Sequence, residues 1–196
     1  MTNCFFWPGI HRKEGELSVL FEIFQLKCGI KTICLKSDYD IIDEGDEHIY
    51  DYIVREIRSL KIHFDIWLGL SYGAALLWYM LPRIPVDLRP RIVFLINPFS
   101  NRSRLAEYKK FQYHPKWNIN PEEYFPPHGV LCNLIISTND SHIPLLFKQG
   151  IISRFRQLNA NVLYFEASHS FEMTYEQQFL FKEICRKTDF PVFILR

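Results

Sequence analysis

The sequence predicts an α/β fold: a three-layer arrangement with a mainly parallel sheet of about six strands, helices on both faces and a short insertion. Three observations point there. Six short runs rich in β-branched and aromatic residues recur along the chain, at residues 3–7, 32–35, 64–68, 91–96, 131–136 and 161–165. These runs are nearly continuous in apolar character and do not alternate, as strands covered on both faces require. Between them lie segments with the three-and-four spacing of helix faces, and strand alternating with helix builds a parallel sheet wrapped by helices.

Taken in order, the first run is followed by Leu17, Leu20, Phe21, Phe24 and Cys28, which share one helix face and stop at Gly29, a natural residue just past a helix end. After the second run, residues 37–52 carry seven acids (Asp38, Asp40, Asp43, Glu44, Asp46, Glu47, Asp51) and no Lys or Arg. We read this stretch as a solvated loop entering a helix whose N-terminal end favours negative charge; its spacing does not match a calcium loop. Ile49, Ile53, Ile57 and Leu60 continue as the apolar face of that helix. The third run opens the longest uncharged stretch, residues 66–82, which is short for a membrane span and has Gly69, Ser71, Tyr72 and Gly73 in its middle. It reads as a buried strand joined to a buried helix, with Trp78, Tyr79 and Met80 as core. After the fourth run, residues 97–129 form an insertion with a charged helical piece at 103–111 and prolines at 115, 121, 126 and 127. Connections of that length in a compact domain are more often functional lids than plain links. Phe147, Ile151, Phe155 and Leu158 mark a last helix between the fifth and sixth runs.

A chain of 196 residues fits one domain, here residues 1–196, that buries a core without staples. A net charge of +1 gives no global argument for nucleic acid as a partner. The five cysteines (Cys4, Cys28, Cys34, Cys132, Cys185) are odd in number and widely spaced, and read as reduced core thiols. No secretory signal is visible at the N-terminus, so a cytoplasmic location is expected. His11, His48, His63, His114 and His128 lack ligand spacing, and no glycine-rich phosphate loop appears. Neither a metal nor a cofactor is therefore expected.

The chemistry concentrates in Gly69-Leu70-Ser71-Tyr72-Gly73, a G-x-S-x-G between a strand and a helix. A nucleophilic serine on such a turn occupies a strained backbone conformation, and small neighbours let strand and helix approach. The turn also aims the Tyr72 N–H and the positive end of the following helix at the place where an oxyanion would form. An ordinary tight turn is the bland alternative for Ser71. Asp140 follows the fifth run and His169 the sixth, so in a parallel sheet both loops open on the edge where Ser71 stands. Asp140 could instead be a turn acid or cap the helix opened by Pro144, and His142 rivals His169. The order Ser71, Asp140, His169 favours His169, with His142 lining the mouth of the site.

On these residues the chain resembles the α/β-hydrolase superfamily, in a small single-domain serine esterase or thioesterase form, over nearly its whole length from Cys4 to about Cys185. The resemblance implies that Ser71 is the nucleophile, His169 the general base and acid, and Asp140 the group that orients the imidazole. It further implies that Gly9 or Ile10, after the first strand, supplies a second oxyanion N–H beside that of Tyr72. Pro8-Gly9 replaces the usual His-Gly pair there, and Ser168 stands where a glycine often precedes the histidine. In size and layout the chain is similar to compact cytoplasmic esterases and acyl-thioesterases, among them short biotin-pathway esterases that cleave the methyl ester of a pimeloyl chain on acyl carrier protein.

The expected substrate is thus an acyl ester or thioester. Residues 83–116 hold eight basic side chains (Arg83, Arg89, Arg91, Arg102, Arg104, Lys109, Lys110, Lys116) against Asp87 and Glu107. This excess is either an ordinary solvated surface or a patch for an acidic partner such as acyl carrier protein. Trp7, Phe99, Phe111, Trp117 and His142 are candidates to contact the acyl group, and the aromatics of the insertion either roof a pocket or seal the core. Two alternatives to hydrolysis stand beside it: acyl transfer through the same triad, or a catalytically inert binding protein on the same fold.

Overall fold

Strand propensity alone does not say how strands pair; the covering of both sheet faces does. The computed structural model describes residues 3–7, 31–34, 46–98, 126–158 and 160–169. It joins β1 (Asn3–Trp7), β2 (Lys31–Cys34), β3 (Ile66–Leu70), β4 (Ile92–Ile96), β5 (Leu131–Ser137) and β6 (Asn161–Phe165) into one sheet of order β2-β1-β3-β4-β5-β6. All five pairings are parallel. Three helices belong to the described residues: α1 (Asp46–Ser59), α2 (Tyr72–Met80) and α3 (Gln149–Gln157).

The central strands are apolar on both parities because both parities are buried. Phe5, Trp67, Val93 and Leu134 lie in one core cluster with Ile53 and Ile57 of α1, Leu76 and Trp78 of α2, and Ile151 and Phe155 of α3. Phe6, Leu68, Phe94 and Ile135, of opposite parity, are buried as well. Each such side chain contributes roughly 1.5–3 kcal/mol relative to leaving it in water. α2 is buried at all nine positions, which explains why its sequence carries no polar face. α3 is docked on it through Trp78 and Phe155, with ring centroids 4.9 Å apart.

The third strand begins and ends two residues later than its apolar run predicts. Gly69 and Leu70 pair with Leu95 and Ile96 of β4, so the strand runs up to Ser71 without a gap. Phe64 lies before the strand and is buried in the core. A glycine reads as a strand end in sequence, yet here close helix approach requires it. Likewise a short 3-10 turn (Leu145–Phe147) precedes α3, which starts after the apolar stripe suggested by Phe147. The predicted helix over 17–28, the charged piece at 103–111, and residues 99–125 of the insertion lie outside the described residues.

The strand order positions the site. From β1 the chain passes outward to the edge strand β2, whereas from β3 it passes the other way to β4. Such a reversal opens a crevice beyond the C-terminal ends of the two strands. Ser71 follows the last residue of β3 directly, and the turns after β5 and β6 open on the same edge.

Candidate active site

Ser71 has φ 55° and ψ −115°, outside the regions a serine ordinarily occupies. Conformations of this kind cost on the order of 1–3 kcal/mol and persist only where surroundings enforce them. The enforcement is visible. Ser71 N–H donates to the Ile96 carbonyl of β4 at 2.7 Å, and its own carbonyl accepts the Ala75 N–H at 3.0 Å, beginning α2. A Cβ on Gly69 would stand 2.7 Å from Ala74 Cα and 2.9 Å from the Gly73 carbonyl oxygen, so only glycine lets the helix sit this close to its strand. Ser71 makes no helix-capping bond with its side chain, which leaves Oγ for other partners.

One partner is His169. Its Nε2 lies 2.8 Å from Ser71 Oγ and its Nδ1 lies 2.7 Å from Asp140 Oδ2. A carboxylate only accepts, so Nδ1 carries the proton and Nε2 accepts from the serine hydroxyl. Asp140 stands in the turn after β5, where Oδ1 accepts the backbone N–H groups of His142 and Ile143, each at 2.9 Å. This is the local acid turn that the alternative reading of Asp140 anticipates, and the same carboxylate serves His169 with its other oxygen. The His142 ring, on an exposed residue, stacks on His169 with centroids 5.3 Å apart and planes 22° apart.

The structure adds residues that the sequence reading misses. Lys148, immediately before α3, is wholly buried and its Nζ donates to Asp140 Oδ2 and, at 3.3 Å, to Asn97 Oδ1. Asn97, at the tip of β4 with φ 49°, is also wholly buried. Its Nδ2 donates to Ser137 Oγ at 2.7 Å and to the His169 carbonyl at 3.0 Å, while its Oδ1 accepts the Ser137 N–H at 2.7 Å. Thr138 N–H donates to the Phe165 carbonyl at 2.8 Å, so the turns carrying Asp140 and His169 are tied directly as well. One sequence signal does exist for Lys148: it stands three residues before Ile151 and seven before Phe155, on the buried stripe of the helix, where a lysine needs a partner.

These contacts set the charge state of the acid. Burial pushes the Asp140 carboxyl up, but hydrogen bonds from His169 and Lys148, the positive charge His169 can carry and the Ile143 N–H outweigh it. The carboxyl is held well below the ordinary carboxylate range. Burial pushes the Lys148 ammonium down, against the opposing pull of Asp140.

Of the other predicted site residues, Tyr72 is buried at the first position of α2, directly after Ser71. Trp7 is buried in the core cluster, its ring centroid 6.0 Å from that of Phe5. Gly9, Ile10, Phe99, Phe111 and Trp117 lie outside the described residues. Cys4 and Cys132 are buried thiols. Among the described residues no group of three His, Cys, Asp or Glu could hold a metal ion, and no helix is long and apolar enough to cross a membrane.

No family model and no curated protein matches the sequence. Solved structures do match. An α/β-hydrolase enzyme from the metagenome of lagoon sediments at Mar Chica, Morocco, superposes with a TM-score of 0.68 at 13% identity, covering 96% of this chain and 92% of that one. An esterase of Pyrococcus furiosus gives a TM-score of 0.65 at 16% identity, over 94% of this chain and 80% of that one. The esterase domain of a Rhodothermus marinus protein gives 0.64 at 10% identity, over 95% and 87%. The chain therefore has the α/β-hydrolase fold, in a form similar in extent to these enzymes.

Proposed function

We propose that this protein is a serine hydrolase that cleaves an ester or thioester of an apolar acyl group through an acyl-enzyme, with Ser71, His169 and Asp140 as its triad. The observation that carries the reading is the unbroken line of hydrogen bonds from Ser71 Oγ through His169 to Asp140, at 2.8 and 2.7 Å, beyond the C-terminal edge of a parallel sheet. In the first half-reaction Ser71 Oγ forms a bond to the acyl carbon while His169 Nε2 takes its proton. The intermediate's oxyanion lies by the Tyr72 N–H and the N-terminal end of α2, with Gly9 or Ile10 supplying a second donor. The carbon–oxygen or carbon–sulfur bond then breaks, and His169 returns the proton to the departing alcohol or thiol. In the second half-reaction water attacks the acyl carbon, gives its proton to His169, and Ser71 recovers the proton as the carboxylic acid leaves.

The finer reading is an acyl chain presented by a carrier such as acyl carrier protein, for example a pimeloyl-type methyl ester. The basic excess over residues 83–116 supports it: Arg83 and Arg91 are exposed and could steer an acidic partner. In this reading the insertion at 97–129 roofs the acyl pocket with Phe99, Phe111 and Trp117, His142 lines its mouth, and the chain is one cytoplasmic domain. Carrier-linked turnover should fall more steeply with salt than turnover of a small ester; equal sensitivity removes the carrier from the proposal.

The hydrolase reading itself is tested by active-site labelling. A fluorophosphonate should modify Ser71 alone, and Ser71→Ala should abolish labelling and lower kcat about a million-fold. Retained labelling and turnover in Ser71→Ala would show that the triad assignment is wrong. A panel of acyl esters and thioesters of rising chain length then sets the substrate, and added alcohol or amine acceptors separate hydrolysis from acyl transfer.

A further inference from the structure

Resting on the triad reading above, we infer that Lys148 is a positioning residue that acts on His169 through Asp140, sharing the acid's Oδ2 with the imidazole and taking up part of its charge. Among the described residues Asp140 has four hydrogen-bond donors: two backbone N–H groups on Oδ1, and His169 Nδ1 with Lys148 Nζ on Oδ2. A carboxylate offers about four lone-pair sites, so this one is saturated and cannot rotate about its bond to Cβ. Without Lys148 one site on the oxygen that faces His169 falls empty.

Stability does not explain a lysine here. Its side chain is wholly buried, at the start of a helix whose N-terminal end disfavours a cation. Replacing a buried ion pair by well-packed apolar side chains is commonly neutral or stabilising. Among the described residues Lys148 gains two acceptors there, Asp140 and Asn97, and Asn97 in turn holds the His169 carbonyl. The ammonium therefore touches both supports of the imidazole, its acid partner and its backbone anchor, without touching the imidazole.

The charge argument gives the inference its own signature. A carboxylate already paired with an ammonium stabilises an imidazolium less than an unshared one does. Lys148 thus shares with the imidazole a negative charge that would otherwise act on the imidazole alone. Among the described residues, the groups facing His169 are Asp140, the Ser71 hydroxyl and the His142 ring. Glu166, exposed and bonded by Asn139, precedes it by three positions on the same turn. Only Lys148 pairs with the acid from outside the triad in this set, so its removal should show in the pH profile with His142 and Glu166 left in place.

The experiment compares wild type, Lys148→Met, Lys148→Gln and Lys148→Arg on the best ester of the panel, with folding checked by circular dichroism. Lys148→Met and Lys148→Gln should move the acid limb of kcat/KM up by about half to one pH unit. They should also lower kcat about 10-fold to 100-fold with KM little changed. Lys148→Arg, where it folds, should keep the wild-type limb. An unchanged limb and kcat in a folded Lys148→Met or Lys148→Gln overturns the inference, and a purely structural lysine would lower stability without moving the limb. Should neither variant fold, nitrogen-15 lysine spectra of the wild type decide: the Lys148 Nζ must be an ammonium across the pH range of activity, and a neutral amine there overturns the inference. Loss of labelling in Ser71→Ala together with an unmoved limb rejects the role of Lys148 alone. Retained labelling in Ser71→Ala rejects the triad itself.

Discussion

The two ends of the site are built differently. At the serine end, backbone does the positioning: Gly69, Gly73 and Ala74 bring helix against strand, and the Ile96 carbonyl fixes Ser71 N–H. At the acid end, side chains do it: Asn97, Ser137, Lys148 and Asp140 interlock from β4, β5 and the start of α3. The close approach of helix and strand in the first is dictated by sterics within six consecutive residues. The second depends on polar groups that must satisfy one another in a buried place, where a single unpaired member costs about 1–3 kcal/mol or more. One end should therefore fail by distortion and the other by unpaired charge.

The largest effect on stability should follow from unpairing the acid end. Asp140→Asn removes the charge that faces the buried Lys148 ammonium, so unfolding free energy should fall by about 3–5 kcal/mol and kcat about 10,000-fold. Adding Lys148→Met should restore much of the stability in denaturant titrations and none of the turnover. Stability that stays low in the double variant would mean that the charge pair is not what Asp140→Asn breaks.

At the serine end, Gly69→Ala should cost about 1–3 kcal/mol, because the Cβ meets backbone atoms of α2 that cannot swing aside. The fluorophosphonate labelling rate should fall with it as the turn opens, while Asp140 and Lys148 remain paired. Wild-type stability and labelling would show that α2 yields more easily than the 2.7 Å approach implies.

An effect absent at neutral pH lies in the sheet that carries both ends. Burial pushes the Cys132 thiol up from 9.0 to about 12. Its native value exceeds its unfolded one, so this contribution to stability is complete below pH 9.0 and is lost as pH rises from there toward 12. The unfolding free energy should decline over that window by up to about 1.4 kcal/mol per pH unit, and Cys132→Ala should flatten the decline. An equal slope in the variant would assign the alkaline loss to other groups.

The contrast also explains what could be read in advance. Five of the six strands match their apolar runs to within about one residue at either end, since burial on both faces leaves a continuous signal. The third is displaced because Gly69 carries two meanings, poor strand former and close-approach residue, and only the packing of Ala74 decides between them. Ser71 was legible because its requirements are local. Asp140 and His169 were legible through topology, as the turns after successive parallel strands. Asn97 and Lys148 were not read: they stand 51 positions apart, Asn97 belongs to no repeating pattern, and the partner that the place of Lys148 on the buried stripe demands is found only once the strand order is known. An asparagine after a strand looks like an ordinary surface residue, and a lysine on an apolar stripe names no partner, until the sheet is assembled.

The tip of β4 has a mechanical consequence. Ile96 holds Ser71 by its backbone, and its neighbour Asn97 holds the strand that leads to Asp140, the Lys148 ammonium and the carbonyl of His169. Were the three turns anchored separately, their thermal displacements would be independent and the variances of their separations would add. With one shared origin most of that displacement is common to all three, and subtracts out of the distances that separate Ser71, His169 and Asp140.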